Sequence, residues 1–133
     1  MPDYILVFDG GSRGNPGAAY GSFRLHRRGG RPDSPTRLRF GRGTNNEAEY
    51  WSLIAGLESL LALLTEAGNA AAEVRLEVRG DSQLVIRQLE GSWKAKEPRM
   101  RRLRDRALNL LRRFASVRLI HQDRSRSLAV LGH

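Results

Sequence analysis

The feature that most constrains this chain is the stretch YILVFDGGSRGNPG, which spans residues 4–17. Tyr4 through Phe8 form an unbroken apolar run, which favours a strand buried on both faces of a sheet. Asp9 then places a carboxylate at the carboxyl end of that strand, where open α/β sheets usually bind ligands. The glycines that follow allow the backbone of a partner to approach closely. The same residues also suit a plain exit from strand to turn, so this stretch alone leaves both interpretations open.

Composition narrows the classes of protein and of site. A chain of 133 residues has room for one domain with a buried core. It contains no run of about 18 apolar residues that would span a membrane, and its start, MPDYILVFDG, lacks the basic flank of a signal peptide. We therefore expect a cytoplasmic protein. The absence of cysteine excludes disulfides, thiolate metal sites and a cysteine nucleophile, so any metal would use oxygen or imidazole ligands, which favours Mg²⁺.

The charge of the chain points to a nucleic-acid partner. The formal net charge of +9 comes from arginine far more than from lysine. The planar guanidinium group is suited to phosphate recognition. A solvated, highly charged surface of the kind found in heat-adapted or high-GC organisms is the alternative explanation, and charge alone does not decide between them.

Residue periodicity predicts eight elements in the order β-β-β-α-β-α-α-β. The first strand ends at Phe8, and the fourth strand, with alternating apolar residues, ends before Asp81. A meander of three strands followed by a crossover helix makes the first and fourth strands parallel neighbours. The other predicted elements are strands over residues 19–28, 36–43 and 117–121, a helix over 44–68, a helix opened by Ser82 and a helix from Pro98.

Two strand-end aspartates and one helical glutamate are the candidate metal ligands. Neighbouring strands lie about 4.8 Å apart, so Asp9 and Asp81 would come close enough to share a cation. Glu49 heads a row of leucines that faces the sheet, whereas Glu47 heads a row that leads to Glu58. Glu49 is therefore the better inward acid. Glu47 suits a first-turn carboxylate that the helix dipole favours.

Three segments in order resemble type 1 ribonuclease H, within the larger group of ribonuclease H-like nucleases. FDGGSRGNPG is similar to the first-aspartate motif of that family, TNNEAEY to its helix with the second acid, and GDSQLVIRQL to its third-acid motif. The resemblance covers most of the chain. It implies an α/β, ribonuclease H-like fold, with a five-stranded mixed sheet flanked by helices, in a single domain over residues 1–133.

The resemblance implies an endonuclease that hydrolyses the RNA strand of RNA·DNA hybrids without reading sequence, leaving 5′-phosphate and 3′-hydroxyl ends. It makes Asp9, Glu49 and Asp81 the catalytic, metal-binding carboxylates of a centre with two Mg²⁺ ions, with Mn²⁺ as the alternative. One such ion lowers the pKa of the attacking water, and the other stabilises the departing oxygen. Double-stranded RNA stays open as a second substrate. No membrane and no obligate protein partner are expected.

Substrate contacts follow from the same resemblance. Only the 2′-hydroxyl group distinguishes ribose directly, and amide side chains can both donate to it and accept from it. Thr44 is similar to the phosphate-pocket threonine of the family, and Trp93 to a tryptophan that contacts DNA sugars, although Trp93 could instead cap the core. The expected substrate-binding residues are Gly10, Ser12, Asn15, Thr44, Asn45, Asn46, Gln83, Trp93, Lys94 and Lys96. Arginines of the third helix, including Arg99, Arg101, Arg102 and Arg106, are expected to add phosphate contacts.

The carboxyl end departs from the family pattern. The family has a fourth aspartate in a final helix, but no aspartate follows Asp123 in this chain. Related nucleases, including Holliday-junction resolvases, use a histidine there, which makes His133 the candidate fourth metal ligand and catalytic residue. His133 could equally be an inert terminal residue. His121 suits either a product-release or proton-shuttling role, or a buried strand end.

Two other functions compete with hybrid cleavage. A module of the same fold could bind hybrids or other nucleic acids with weak or no turnover, because the usual fourth ligand is missing. The three remaining acids argue against that function. A nuclease acting on branched DNA is the other candidate, but the amides of Asn15 and the TNN segment favour ribose recognition.

Overall fold

A computed structural model describes residues 1–123 of the chain. The strands are β1 (Tyr4–Arg13), β2 (Gly17–Arg27), β3 (Thr36–Gly43), β4 (Arg75–Gly80) and β5 (Ser116–His121). The helices are α1 (Asn45–Glu66), α2 (Gln83–Glu90) and α3 (Pro98–Leu111), and a single 3-10 turn covers Ala71–Glu73. The predicted α/β class and the order of elements are confirmed.

The five strands form one mixed sheet in the order β3-β2-β1-β4-β5. The first three strands are antiparallel, while β1 pairs with β4, and β4 with β5, in parallel. The expected parallel contact between the first and fourth strands is therefore present. It brings the chain segments that follow Phe8 and Gly80 to the same edge of the sheet.

The first strand is longer than the sequence predicted. Its parallel pairing with β4 ends at Phe8, but its antiparallel pairing with β2 continues to Arg13. Asp9 thus lies inside β1, opposite Ser22, rather than at a strand end. The glycine-rich segment stays extended because the hairpin with β2 supplies hydrogen-bonding partners to it on one side.

Helix α1 covers one face of the sheet and begins at a capping box. The Thr44 hydroxyl accepts a hydrogen bond from the Glu47 backbone N–H at 3.1 Å, and the Glu47 carboxylate accepts one from the Thr44 N–H at 3.0 Å. Leu53, Leu57 and Leu60 are fully buried beneath the helix. Burial of each such side chain contributes about 1.5–3 kcal/mol, so this leucine row fixes which face of α1 meets the sheet.

Helix α3 packs beside α1 and completes the core on this side of the sheet. Met100, Ala107 and Leu111 are its buried side chains, and arginine occupies much of its outer face. Within residues 1–123, no helix combines the length and apolar character needed to cross a membrane.

Candidate active site

Three carboxylates meet at the edge of the sheet. Asp9, Glu49 and Asp81 each offer a ligand oxygen, and these oxygens lie within 4.8 Å of one another. Asp9 and Glu49 are 2% and 7% exposed, and Asp81 is half-buried. The β1–β4 pairing brings the two aspartates together, and the first turns of α1 bring Glu49 above them.

Gly10 determines how closely α1 approaches the aspartates. A Cβ atom at Gly10 would lie 2.5 Å from the carbonyl carbon of Ala48, which is closer than side chains tolerate. The backbone N–H of Gly10 also donates a hydrogen bond to the carboxyl group of Glu49. Gly10 is buried, so the close backbone approach that the sequence suggested is made by the chain's own helix.

The negative charges of Asp9 and Asp81 act on the carboxyl group of Glu49. Burial, followed by the charges of Asp9 and Asp81, raises the pKa of Glu49 well above its ordinary value, and the Gly10 hydrogen bond only partly opposes this. Glu49 Oε2 is buried and accepts no hydrogen bond within the described part of the chain. A buried acceptor facing two further carboxylates is the arrangement that a divalent cation with oxygen ligands would stabilise, so the residues fit such an ion.

Amide side chains connect the β1–β2 turn to the start of α1. Asn45 Oδ1 accepts a hydrogen bond from the Ser12 N–H at 2.7 Å, and Asn15 Oδ1 accepts one from the Asn45 N–H at 3.0 Å. The Ser12 hydroxyl donates to the carbonyl oxygens of Gly14 and Gly43. Because both amide oxygens are used within the protein, the NH₂ group is the part of Asn15 and Asn45 that can donate to a ligand.

A polar cavity of about 400 Å³ lies next to these amides. Thr44 and Asn46 contribute from the start of α1, and Lys94 and Lys96 contribute from the loop before α3. Two ammonium groups together with hydroxyl and amide groups suit an anion such as a phosphate. The residues around the cavity are Asn15, Thr44, Asn46, Leu84, Gln88, Lys94, Lys96, Glu97 and Met100.

Comparison with known proteins identifies the family. A family model described as "Reverse transcriptase-like" matches residues 37–130. Ribonuclease HI of Halobacterium salinarum is 42% identical over 89% of this chain and 55% of its own length. The crystal structure of RNase H1 from that archaeon has a TM-score of 0.81 at 38% identity, covering 97% of this chain and 94% of the other. The chain belongs to the type 1 ribonuclease H family.

Two further relatives extend the ribonuclease H comparison. A bifunctional protein of Mycobacterium tuberculosis is 36% identical over 92% of this chain and 32% of its own length. LC11-RNase H1, solved in complex with an RNA/DNA hybrid, has a TM-score of 0.84 at 30% identity, covering 96% of this chain and 90% of the other. The chain thus spans only about one third to one half of the curated relatives it matches.

Three further residues that the ribonuclease H resemblance predicted for the site differ in what the structure says of them. Gln83 is the exposed first residue of α2, two positions after Asp81. Trp93 is 44% exposed, which disfavours the alternative that it caps the core. His133 lies outside the described residues, and its role as fourth ligand stays a prediction.

Gln88 is a buried polar residue near the site that the sequence did not indicate, and Glu47 makes contacts beyond the first-turn role predicted for it. The Tyr50 hydroxyl donates to Gln88 Oε1 at 2.7 Å, and Gln88 Nε2 donates to the Lys94 carbonyl oxygen at 3.4 Å, which ties the lysine loop to α1. Glu47 is 5% exposed, and besides capping α1 it accepts a hydrogen bond from Arg99 at 3.4 Å. The TxxE spacing was the available signal for Glu47, but the position of Gln88 offers none.

His121 lies beside one of the aspartates, although not at its carboxylate. Its Nε2 atom is 3.1 Å from the backbone carbonyl oxygen of Asp81. His121 is exposed, so the alternative of a buried strand-end histidine is wrong. The contact joins the end of β5 to the turn that carries Asp81.

Proposed function

We propose that this chain is an endoribonuclease that hydrolyses the RNA strand of RNA·DNA hybrids independently of sequence. The observation that carries the proposal is the convergence of three carboxylate oxygens within 4.8 Å in a chain of the ribonuclease H family. A relative of the same fold has been solved with an RNA/DNA hybrid, which supports that class of substrate.

Asp9, Glu49 and Asp81 would hold the divalent ions of a two-ion centre. Mg²⁺ is the expected ion because it binds a few carboxylates while keeping sites for water and phosphate oxygens, and Mn²⁺ is the alternative. Ions held by these carboxylates would lower the pKa of the attacking water and would stabilise the departing 3′ oxygen, so that the products would carry 5′-phosphate and 3′-hydroxyl ends. His133 is proposed as the fourth ligand.

The remaining residues would position the hybrid over the carboxylates. The amide N–H groups of Asn15 and Asn45 donate to ribose 2′-hydroxyl groups, which DNA lacks. Thr44 and the two lysines of the polar cavity bind a backbone phosphate, and Trp93 packs against a sugar. The proposed substrate contacts also include Ser12, Asn46 and Gln83, whereas Gly10, expected from the sequence as a contact, is buried against α1 and donates its N–H to Glu49.

A substrate panel tests the proposal directly. End-labelled RNA·DNA hybrid, double-stranded RNA and double-stranded DNA are each incubated with Mg²⁺ or Mn²⁺. Cleavage of the RNA strand of the hybrid is expected, and it should fall by orders of magnitude in Asp9→Asn. Asp105→Asn, which removes an exposed carboxylate on α3, is the matched control and should cleave normally.

Three outcomes would contradict the proposal. Full activity of Asp9→Asn would remove the carboxylate centre from the mechanism. Hybrid binding without products under either ion would identify a binding module instead of a nuclease. Cleavage of double-stranded DNA in preference to hybrid would assign the fold to a different nuclease activity.

A further inference from the structure

A row of arginines runs along the exposed face of α3. Arg99, Arg102 and Arg106 are spaced three and four residues apart, so they lie on one side of the helix. Arg113 follows in the turn immediately after the helix. All four side chains are exposed, and we call them the arginine row.

Two carboxylates of α1 hold alternate members of the arginine row in place. Arg99 contacts Glu47 at 3.4 Å, and Arg106 contacts Glu58 at 3.1 Å. Their side chains nevertheless remain 64% and 60% exposed, so both guanidinium groups are accessible to a ligand. Within residues 1–123, Arg102 and Arg113 form no ion pair, which leaves the row with a net positive charge.

The arginine row begins where the polar cavity ends. Glu97 and Met100 line that cavity, and they belong to the cap and first turn of α3. Arg101 is not part of the arginine row. Its guanidinium group donates a hydrogen bond to the Lys96 carbonyl oxygen at 2.7 Å, which connects the lysine loop to the helix. The two cavity lysines and the arginine row therefore adjoin at the start of α3, and together we call them the basic track.

The length of the arginine row sets how much nucleic acid it can contact. At about 1.5 Å per helical residue, α3 advances about 18 Å from Arg99 to its end at Leu111, and Arg113 lies two residues beyond, which gives the arginine row a length of about 20 Å. A strand that advances about 3.4 Å per nucleotide would cover that distance with about six nucleotides. The track offers guanidinium groups, which bind phosphates without reading bases.

We propose that the arginine row binds the phosphate backbone of the nucleic acid where it continues beyond the polar cavity. The binding footprint is then longer on one side of the carboxylates than on the other. This inference rests on the proposed function for its choice of substrate, but it concerns binding and not cleavage. The backbone could belong to further duplex or to a single-stranded overhang, because both present the same phosphodiester chemistry.

The test compares affinity for substrates of increasing length. Dissociation constants are measured by fluorescence anisotropy in EDTA, at several salt concentrations, for one short hybrid. The same hybrid is then extended by about six nucleotides at either end, the length of the arginine row, as duplex or as single-stranded DNA. Wild-type protein should bind the hybrid whose extension lies along the arginine row more tightly than the short hybrid, whereas extension at the other end should change the affinity little.

The double variant Arg102→Gln/Arg113→Gln should lose most of that gain. The slope of log K against log salt concentration, measured on the extended substrate, should be less steep than in wild type by about 1.8 for a duplex extension, or by about 1.4 for a single strand. Arg27→Gln/Arg31→Gln removes two exposed charges and is the matched control, because Arg27 pairs with Tyr4 at the start of β1, away from the carboxylates, and Arg31 lies in the loop that follows β2. This control variant should keep the full increase in affinity that wild type shows on the extended hybrid.

The outcomes separate this inference from the proposed function. An equal gain in wild type and in Arg102→Gln/Arg113→Gln, or an equal loss in the control, would overturn the arginine row as a binding surface. A protein that shows the gain but cleaves no substrate would contradict the proposed function while leaving the arginine row as a binding surface.

Discussion

Replacing Glu49 by glutamine should stabilise the metal-free protein while removing its activity. The pKa of Glu49 is raised by burial and by the charges of Asp9 and Asp81. A carboxylate with a raised pKa binds its proton more tightly in the folded than in the unfolded state. Stability therefore falls as the pH rises from the ordinary pKa of 4.5 through the raised value.

Coulomb's law gives the size of the effect. Two unit charges 4.8 Å apart repel by about 3.5 kcal/mol at an effective dielectric constant of about 20. Glu49 faces two such charges, but solvent reaches half-buried Asp81 and weakens its contribution. Glutamine removes the charge and keeps an acceptor for the Gly10 N–H. We therefore expect Glu49→Gln to raise the free energy of unfolding by about the repulsion of one charge pair, about 3 kcal/mol. For a chain of this size, that corresponds to an increase in Tm of about 10 °C.

Thermal unfolding in EDTA between pH 4 and pH 9 measures this difference. Glu49→Gln should have the higher Tm at pH 8, and its advantage should shrink toward pH 4, where wild-type Glu49 is protonated. Added Mg²⁺ should raise the Tm of wild type more than that of the variant, because ligand binding stabilises the state that binds it. Glu58→Gln, an exposed acid on the same helix, is the control and should shift Tm little at any pH. A lower Tm for Glu49→Gln across the whole pH range would refute the reasoning.

Three further predictions concern the surroundings of the site. Gly10→Ala should lower both Tm and hybrid cleavage, because its methyl group would displace the first turn of α1; thermal melts and cleavage rates measure this, and an unchanged rate would contradict it. Tyr50→Phe should cost about 1–3 kcal/mol in chemical denaturation, because a buried acceptor of Gln88 loses its donor, and a cost near zero would argue against that bond. His133→Ala should weaken Mg²⁺ binding measured by calorimetry if His133 is a ligand, and unchanged affinity and activity would exclude it.

The local sequence predicted those features that local chemistry determines. Alternation located β4, and the row of leucines selected Glu49 over Glu47 as the inward acid; the structure brings Glu49 together with the two aspartates. The length of β1 was not predictable in the same way, because glycines beyond Asp9 are extended only through pairing with β2. Gln88 reads as an ordinary helical residue, since its donor Tyr50 lies 38 positions earlier in the chain.

The parts of the structure that hold the site together are distinct from the groups proposed to do the chemistry. The β1–β4 pairing, the capping box of α1 and the close approach at Gly10 all depend on backbone groups or on other side chains. The carboxylates of Asp9, Glu49 and Asp81 instead raise the energy of the metal-free fold through their mutual repulsion. Removing one of them should therefore preserve the fold, so a loss of cleavage in Asp9→Asn would report on the reaction and not on unfolding.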